Sequence, residues 1–219
     1  TQEADGYLHP VTNNPRQSSY RLCKNGIDWQ GCNWLVPSDS HDVYCRSCCL
    51  NEIVPDLSVK ANVPLWIKLE AGKRRLLYSL FRLGLPVVSK QENPNQGMAF
   101  RFLKDTHASF REDNIVLTGH SKGIITVNLA EADDAEREKR RLNLNEVYRT
   151  VLGHFRHESG HHYWQLLIAN ATELDAFRQL FGDERRDYDG AISRHYRRGP
   201  IFGWEDHYIS ADASAHPME

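Results

Sequence analysis

The sequence feature that most constrains the fold is the run HFRHESGHHYW, from His154 to Trp164. It contains His157-Glu158-x-x-His161, the HExxH pattern. On an α-helix, positions i and i+4 lie one turn apart on the same face, so both imidazoles can reach one ion. The pattern is typical of helices that bind zinc and carry a glutamate as general base. We therefore expect a helix here, with His157 and His161 as zinc ligands and Glu158 as the candidate catalytic base.

Apolar residues at helical spacing surround the motif and predict a helix from about residue 144 to residue 168. Gly160 is a poor helix former that costs about 1 kcal/mol against Ala, and this predicts close packing at that position. His154 shares the face of His157 and His161, so it is a candidate outer contact of the site. His162 points away from that face and is predicted to be structural.

A catalytic zinc site needs three protein ligands and one open position. The continuation H-x-x-G-x-x-H is absent after His161, so the third ligand must come from further along the chain. The downstream side chains with suitable chemistry are Asp183, Glu184, Asp187, His195, Glu205, Asp206, His207, His216 and Glu219.

All five cysteines lie before residue 50, and their odd number prevents complete pairing as disulfides. Cys45 and Cys48 have the spacing of half a structural zinc site, and Cys23 and Cys32 can supply the other two thiolates. Cys49 is left over. Reduced cysteines without metal, or disulfides in an exported chain, are the alternatives. We predict a second, structural zinc ion and a reducing compartment.

The chain divides into three parts. Residues 1–20 are polar, without periodicity, and are predicted to form a loose leader. Residues 21–55 hold the cysteines and are too short for an apolar core of their own, so a bound metal ion is expected to stabilise them. Residues 56–219 form the larger domain.

The larger domain combines helical and extended patterns, which predicts an α+β fold. A helix is expected over 65–83, with Lys73, Arg74 and Arg75 on a solvated face. Strands are expected at 98–103, 115–118 and 124–129. The mixed-charge run 131–141 predicts an exposed helix, and two further helices are expected at 172–181 and 187–197.

The run from Gly119 to Gly123, GHSKG, matches the G-x-S-x-G pattern of serine hydrolases. That nucleophile elbow requires a strand before it and a helix after it. A β-branched strand follows here, so we interpret the glycines as a hairpin turn and not as the setting of a nucleophilic Ser121.

Composition excludes some classes of function. The 219 residues carry a formal net charge of −2, which offers no electrostatic footprint for nucleic acid. No apolar run is long enough to span a membrane, and no secretory leader opens the sequence. A cytoplasmic location is therefore expected.

The chain resembles a bacterial family of zinc-binding metallopeptidases that carry an N-terminal zinc-ribbon-like segment. The matching stretches cover about residues 20–219 in order, namely YRLCKNG (20–26), CNWLVP (32–37), CRSC (45–48), AGKRRLLY (71–78), LTGH (117–120), AEADDAERE (130–138), GHFRHESGH (153–161), FGDER (181–185) and SAHP (214–217).

The resemblance implies a zincin-like metallopeptidase domain, with a short mixed sheet and the HExxH motif on a central helix. It also implies Glu219 as the third zinc ligand, as in gluzincins. Met218 stands where the family has Trp, and Asp212 stands where a tyrosine is expected. The sequence ends at Glu219, before the helix that should hold this residue, which suggests truncation or a different ligand, with Asp183 and Glu184 next in line.

The resulting hypothesis is a zinc metallopeptidase with one catalytic and one structural zinc ion, acting on a peptide or protein. Strand 124–129 is the expected substrate-binding edge, by addition of a substrate strand. Candidate oxyanion donors are Tyr188, His195, Tyr196 and Tyr208. A non-catalytic zinc module that binds protein or nucleic acid, and a protease acting on DNA-crosslinked proteins, remain as alternatives.

Overall fold

A computed structural model describes residues 2–4, 7–9, 19–105, 118–143 and 149–219. The fold is α+β, as predicted, and the described residues form two four-stranded sheets and six α-helices. Most of the strand predicted at 115–118, and the first residues of the helix predicted from 144, lie outside the described residues.

The N-terminal sheet surrounds the cysteines. Its strands are β1 (Gln2–Ala4), β2 (Tyr7–His9), β3 (Tyr20–Leu22) and β4 (Leu35–Pro37), all antiparallel and in that order. Helix α1 (Lys24–Trp29) connects β3 to β4. The prediction of a loose leader over 1–20 is wrong for β1 and β2, because three-residue strands are too short to show a period of two. Strand β2 pairs with β3, and β1 pairs with β2.

The second sheet is mixed. It contains β5 (Asn51–Ile53), β6 (Ala99–Leu103), β7 (Gly119–Ser121) and β8 (Ile124–Asn128), in the order β5-β6-β8-β7. Strand β6 is parallel to both β5 and β8, and β7 is antiparallel to β8. The prediction that 124–129 is a free edge is therefore wrong, because β8 is hydrogen-bonded on both sides. Among the described strands, β7 forms the edge next to β8.

A two-residue turn joins β7 to β8. Lys122 and Gly123 both have positive φ, at 48° and 83°, as a type I′ hairpin turn requires. A Cβ on Gly123 would lie 2.3 Å from the carbonyl oxygen of Gly97, so only glycine fits there. The predicted hairpin is confirmed, although its turn is shorter than the GHSKG run. Ser121 lies in a strand that leads to a strand, which is not a nucleophile elbow.

The core lies between one face of this sheet and two helices, α2 (Asn62–Arg82) and α4 (Val151–Leu167). Alternate residues of β6 and β8 point into it, as the period of two requires. Phe155 of α4 packs edge-on against Phe100 and Phe102, with ring centroids 5.7 and 6.3 Å apart. This packing sets the position of the HExxH helix over the sheet.

Helix α4 begins later than predicted. Thr150 is its N-cap, and the Thr150 hydroxyl accepts a hydrogen bond from the Gly153 amide at 3.0 Å. Capping satisfies an amide that the first helical turn leaves free. The remaining helices are α3 (Asp134–Asn143), α5 (Leu174–Phe181) and α6 (Tyr188–Arg198), close to the predicted ranges.

Lys73 corrects the prediction that the basic cluster of α2 is solvated. Its side chain is 0% exposed and donates a 3.0 Å hydrogen bond to Glu70, which is also fully buried. The ammonium lies 5.5 Å from the ring centroids of Phe100 and Phe102. Arg75 is exposed as predicted, because only one flank of the cluster faces solvent. Helical spacing alone does not show which side of α2 is covered by the cysteine-containing segment.

Two helix glycines differ in what surrounds them. A Cβ on Gly160 would meet no heavy atom within 4 Å, so the predicted close packing there is wrong. The close approach is at Gly72 of α2, where a Cβ would lie 2.8 Å from a Val151 methyl and 3.2 Å from the Phe155 ring. Gly72 therefore allows α2 and α4 to pack closely.

Alanine at these two positions is expected to change stability in opposite directions. Gly72→Ala should lower the free energy of unfolding by about 1–3 kcal/mol, because the methyl forces α2 and α4 apart. Gly160→Ala should raise it by up to about 1 kcal/mol, because the backbone loses less entropy on folding. Urea unfolding of both variants checks this, and effects of the same sign would contradict it.

Candidate metal centres

Helix α4 buries one face and presents the motif on another. The buried face includes Phe155, Ser159 and Tyr163, and the Tyr163 hydroxyl donates a 2.8 Å hydrogen bond to the Pro86 carbonyl. On the more exposed face, the Nε2 atoms of His157 and His161 lie 3.0 Å apart. Two nitrogens bound tetrahedrally to one zinc ion would be about 3.3 Å apart. The pair therefore fits a shared zinc ion.

Glu219 lies at the same place. Its Oε2 is 3.7 Å from His157 Nε2, and its Oε1 accepts a hydrogen bond from the Tyr188 hydroxyl. His157 is thus the common neighbour of His161 and Glu219. The N, N, O donor set is one that a zinc site with one open position uses.

The other downstream candidates have different partners. Asp183 pairs with Arg185 at 2.8 Å, and Glu184 pairs with Arg178 at 2.6 Å. Asp187 caps helix α6 through the Gly190 amide. His216 is buried and bonded to backbone, while Glu205, Asp206 and His207 are exposed. Of the nine candidates, Glu219 is the one for which the structure describes a contact with a histidine of the HExxH motif.

Glu158 is the buried member of the motif, with 9% of its surface exposed. Burial raises the pKa of its carboxyl above the ordinary value, His157 opposes the change and Glu219 adds to it. A carboxylate with a raised pKa is a stronger proton acceptor, which suits general base catalysis near neutral pH.

His120 was not recognised from the sequence as a neighbour of the motif. It lies on β7, with its ring centroid 6.3 Å from that of His161 and 5.9 Å from that of His162. Its Nε2 accepts a 2.9 Å hydrogen bond from the Gly123 amide. Burial lowers the pKa of His120 to about 4, so the ring is neutral at pH 7. The GHSKG run was interpreted only as a turn, so there was no reason from the sequence to expect His120 beside His161 and His162.

Glu131 corrects the prediction that the charged run 131–141 is wholly exposed. It lies fully buried in a 3₁₀ turn, Leu129–Ala132, and Arg149 donates to both of its oxygens, at 2.8 and 3.1 Å. Burial would raise the pKa of Glu131, but Arg149, His154 and Arg140 outweigh it and lower the pKa. The carboxylate also lies 3.6 Å from His154 Nδ1. His154 therefore contacts this network, one turn before His157.

The four predicted oxyanion donors are not equivalent in the structure. Tyr188 reaches the site through Glu219, and burial, followed by that hydrogen bond, raises its pKa. His195 lies 3.2 Å from Asp212 Oδ1 and packs edge-on against Tyr196. Tyr208 is exposed in the C-terminal segment. Tyr188 is thus the candidate with a described contact to a predicted ligand.

The second candidate centre is formed by Cys23, Cys32, Cys45 and Cys48. All four are buried, and their sulfur atoms lie within 4.8 Å of one another. Cys32 Sγ and Cys45 Sγ are 3.6 Å apart, against about 3.8 Å for two thiolates on one tetrahedral zinc ion. The Cys49 thiol instead contacts the Arg46 carbonyl at 3.3 Å. Four converging thiols in this geometry fit a structural zinc ion.

The cysteine module docks on helix α2 through polar contacts. Cys48 Sγ lies 3.9 Å from a carboxylate oxygen of Glu70, and the Asn51 amide donates to Glu70 at 2.7 Å. Arg74 donates to the Gly31 carbonyl at 2.7 Å. The Glu70–Lys73 pair therefore lies under the module and joins it to the core of the larger domain.

A four-cysteine module ahead of an HExxH helix on a mixed sheet is the architecture of a zinc-binding metallopeptidase with a zinc ribbon. Comparison with known families agrees. The profile of the family described as "Putative zinc-binding metallo-peptidase" matches residues 62–219, and a zinc-ribbon domain profile matches residues 2–59. The chain belongs to this metallopeptidase family.

Curated relatives are mycobacterial and uncharacterised. The protein Rv2568c of Mycobacterium tuberculosis and the protein Mb2598c of Mycobacterium bovis are each 44% identical to this chain over 200 residues. The match covers 91% of this chain and 57% of each relative, so the chain spans little more than half of their length. No solved structure matches the chain.

Among the described residues, no helix combines the length and the apolar character needed to cross a bilayer.

Proposed function

We propose that the chain is a gluzincin-like zinc metallopeptidase with one catalytic and one structural zinc ion. His157, His161 and Glu219 would hold the catalytic ion, and Cys23, Cys32, Cys45 and Cys48 would hold the structural one. The observation that carries the proposal is the position of His157 Nε2, 3.0 Å from His161 Nε2 and 3.7 Å from Glu219 Oε2. These distances support the proposal because His157 contacts both His161 and Glu219, a carboxylate 58 residues downstream of His161.

The chemistry is peptide hydrolysis. When bound, zinc supplies a Lewis acid that polarises the scissile carbonyl and lowers the pKa of an attacking water. Glu158 accepts a proton from that water and passes it to the leaving amine, so the base returns to its starting state. The raised pKa of Glu158 supports both transfers, since the carboxyl must take up the proton and then release it.

Strand β7 is the proposed binding edge for substrate, in place of β8. It lies beside α4, where His120 stacks against His161, and its outer side faces away from β8. An extended peptide could pair with β7 by strand addition, which would place its backbone next to the motif.

A peptide or protein substrate in a reducing compartment suits these features. The four clustered thiols are free, and a metal site of this kind needs them reduced. We therefore propose a cytoplasmic enzyme. The net charge of −2 supports a protein substrate over a nucleic-acid partner.

Turnover of an unfolded protein tests the proposed activity. The purified chain is incubated with a reduced, denatured protein and with a peptide library, as isolated, after treatment with a chelator, and after zinc is returned. We expect cleavage that disappears on chelation and recovers with zinc. Absence of cleavage from a chain that holds both zinc ions would reject peptidase activity in favour of a non-catalytic zinc module.

A further inference from the structure

Glu219 lies outside any helix or strand, yet a carboxylate that binds metal must be held in place. The residue that organises its surroundings is His216, which is 2% exposed. His216 Nδ1 accepts a 3.2 Å hydrogen bond from the Met218 amide. The other ring nitrogen, Nε2, lies 3.1 Å from the Arg186 carbonyl.

These two contacts define the tautomer of His216. Since the Met218 amide is a donor, Nδ1 must be the acceptor and Nε2 must carry the proton that is donated to Arg186. One neutral imidazole thereby ties the C-terminal segment to the chain just before α6. The Glu219 amide also donates to the His216 carbonyl at 2.9 Å, which closes a turn around the same residue.

Tyr188 completes the arrangement from the other side. It is the first residue of α6, and its ring packs edge-on against His216, with centroids 5.1 Å apart and planes at 82°. Its hydroxyl donates to Glu219 Oε1, which leaves Oε2 on the side of His157. The imidazole holds the backbone of the segment, and the phenol orients the carboxylate.

We propose that His216 and Tyr188 are positioning residues that hold the Glu219 carboxylate beside His157 for metal binding. The inference rests on Glu219 as the proposed third ligand. Groups that orient a metal ligand by hydrogen bonding contribute typically 10- to 100-fold to metal affinity. In this role Tyr188 orients the metal ligand Glu219 before any substrate is bound.

Zinc affinity of the histidine site tests the proposal without relying on turnover. The variants are His216→Asn, which keeps an acceptor near Nδ1 but loses the Nε2 donor, and Tyr188→Phe, which keeps the ring but loses the hydroxyl. Glu219→Ala is the reference for complete loss of the ligand. The matched control is His207→Asn, since His207 is exposed. Affinity is measured by competition with a chromophoric chelator, with zinc kept in the cysteine site.

We expect affinity to fall about 10- to 100-fold in His216→Asn and about tenfold in Tyr188→Phe, with no change in the control. Cobalt placed in the histidine site should show altered visible absorption in both variants, which a purely structural role would not produce. If His216→Asn fails to fold, Tyr188→Phe still tests the positioning role, because this variant retains the ring packing.

Two results would overturn the inference, and they are distinguishable. If Glu219→Ala weakens zinc binding but His216→Asn and Tyr188→Phe behave like the control, Glu219 is a ligand that these residues do not position. If Glu219→Ala itself leaves zinc affinity unchanged, the proposed third ligand is wrong and the positioning role is wrong with it.

Discussion

Replacing Glu158 with glutamine is expected to leave both zinc ions bound and to lower peptide turnover by about 10²-fold or more. The amide has nearly the shape of the carboxyl but cannot accept the proton of the attacking water. Because Glu158 is not among the proposed ligands, the positions of His157 and His161 should be preserved. The measurement is kcat for a peptide substrate, with zinc content determined on the same sample.

The matched control is Glu205→Gln, which makes the same chemical change at an exposed position. It should have the zinc content and kcat of the unmodified chain. A Glu158→Gln variant that retains turnover at full zinc content would remove Glu158 from the mechanism. A variant that loses zinc as well as activity would show that Glu158 acts through the metal site and would leave its role as a base unsupported.

The second large effect is expected from separating the two metal sites. The purified chain should contain two zinc ions, and His157→Ala and Cys45→Ser should each lose a different one. Cys45→Ser should also cause a large loss of stability, because structural zinc binds with an apparent free energy of about 10–16 kcal/mol that is coupled to folding. Since Glu70 contacts both Cys48 and Asn51, unfolding of the module should disturb α2 as well.

Metal analysis and thermal unfolding of the two variants measure these effects. Cys49→Ser is the control, because its thiol contacts the Arg46 carbonyl and lies outside the four-sulfur cluster. It should retain two zinc ions and a nearly unchanged midpoint. An unchanged zinc count in His157→Ala would reject the histidine site, and an unchanged count in Cys45→Ser would reject the cysteine site.

Local spacing explains which features could be predicted. His157 and His161 are one helical turn apart, so their approach to 3.0 Å follows from helix formation alone. The α+β class follows from periods of 3.6 and 2 in long segments, and the zinc-ribbon family follows from motifs that are contiguous in sequence. The three-residue strands β1 to β5 and β7 were missed because three residues carry too little periodicity.

Burial of charged residues could not be predicted in the same way. The cluster Lys73, Arg74 and Arg75 predicts a solvated face, yet Lys73 is fully buried beside Glu70. Glu131, in a run of mixed charge, is likewise buried with Arg149. Glu70 is three residues before Lys73 on α2, so this pair is local in sequence, and packing beneath the cysteine module decides only its burial. Arg149, by contrast, reaches Glu131 from 18 positions away because it precedes the helix that lies on the sheet. Polarity alone does not identify such pairs.

The sequence by itself determined the HExxH helix, the four-cysteine module and the membership in a metallopeptidase family, because each depends on residues close together in the chain. Only the tertiary structure decided that β7 is an edge among the described strands, beside that helix, and that Glu219 lies 3.7 Å from His157. The physical reason is that the last contact joins residues 62 positions apart through α6, His216 and Tyr188. Local conformational preferences do not determine this contact between Glu219 and His157. The packing of the C-terminal segment determines it.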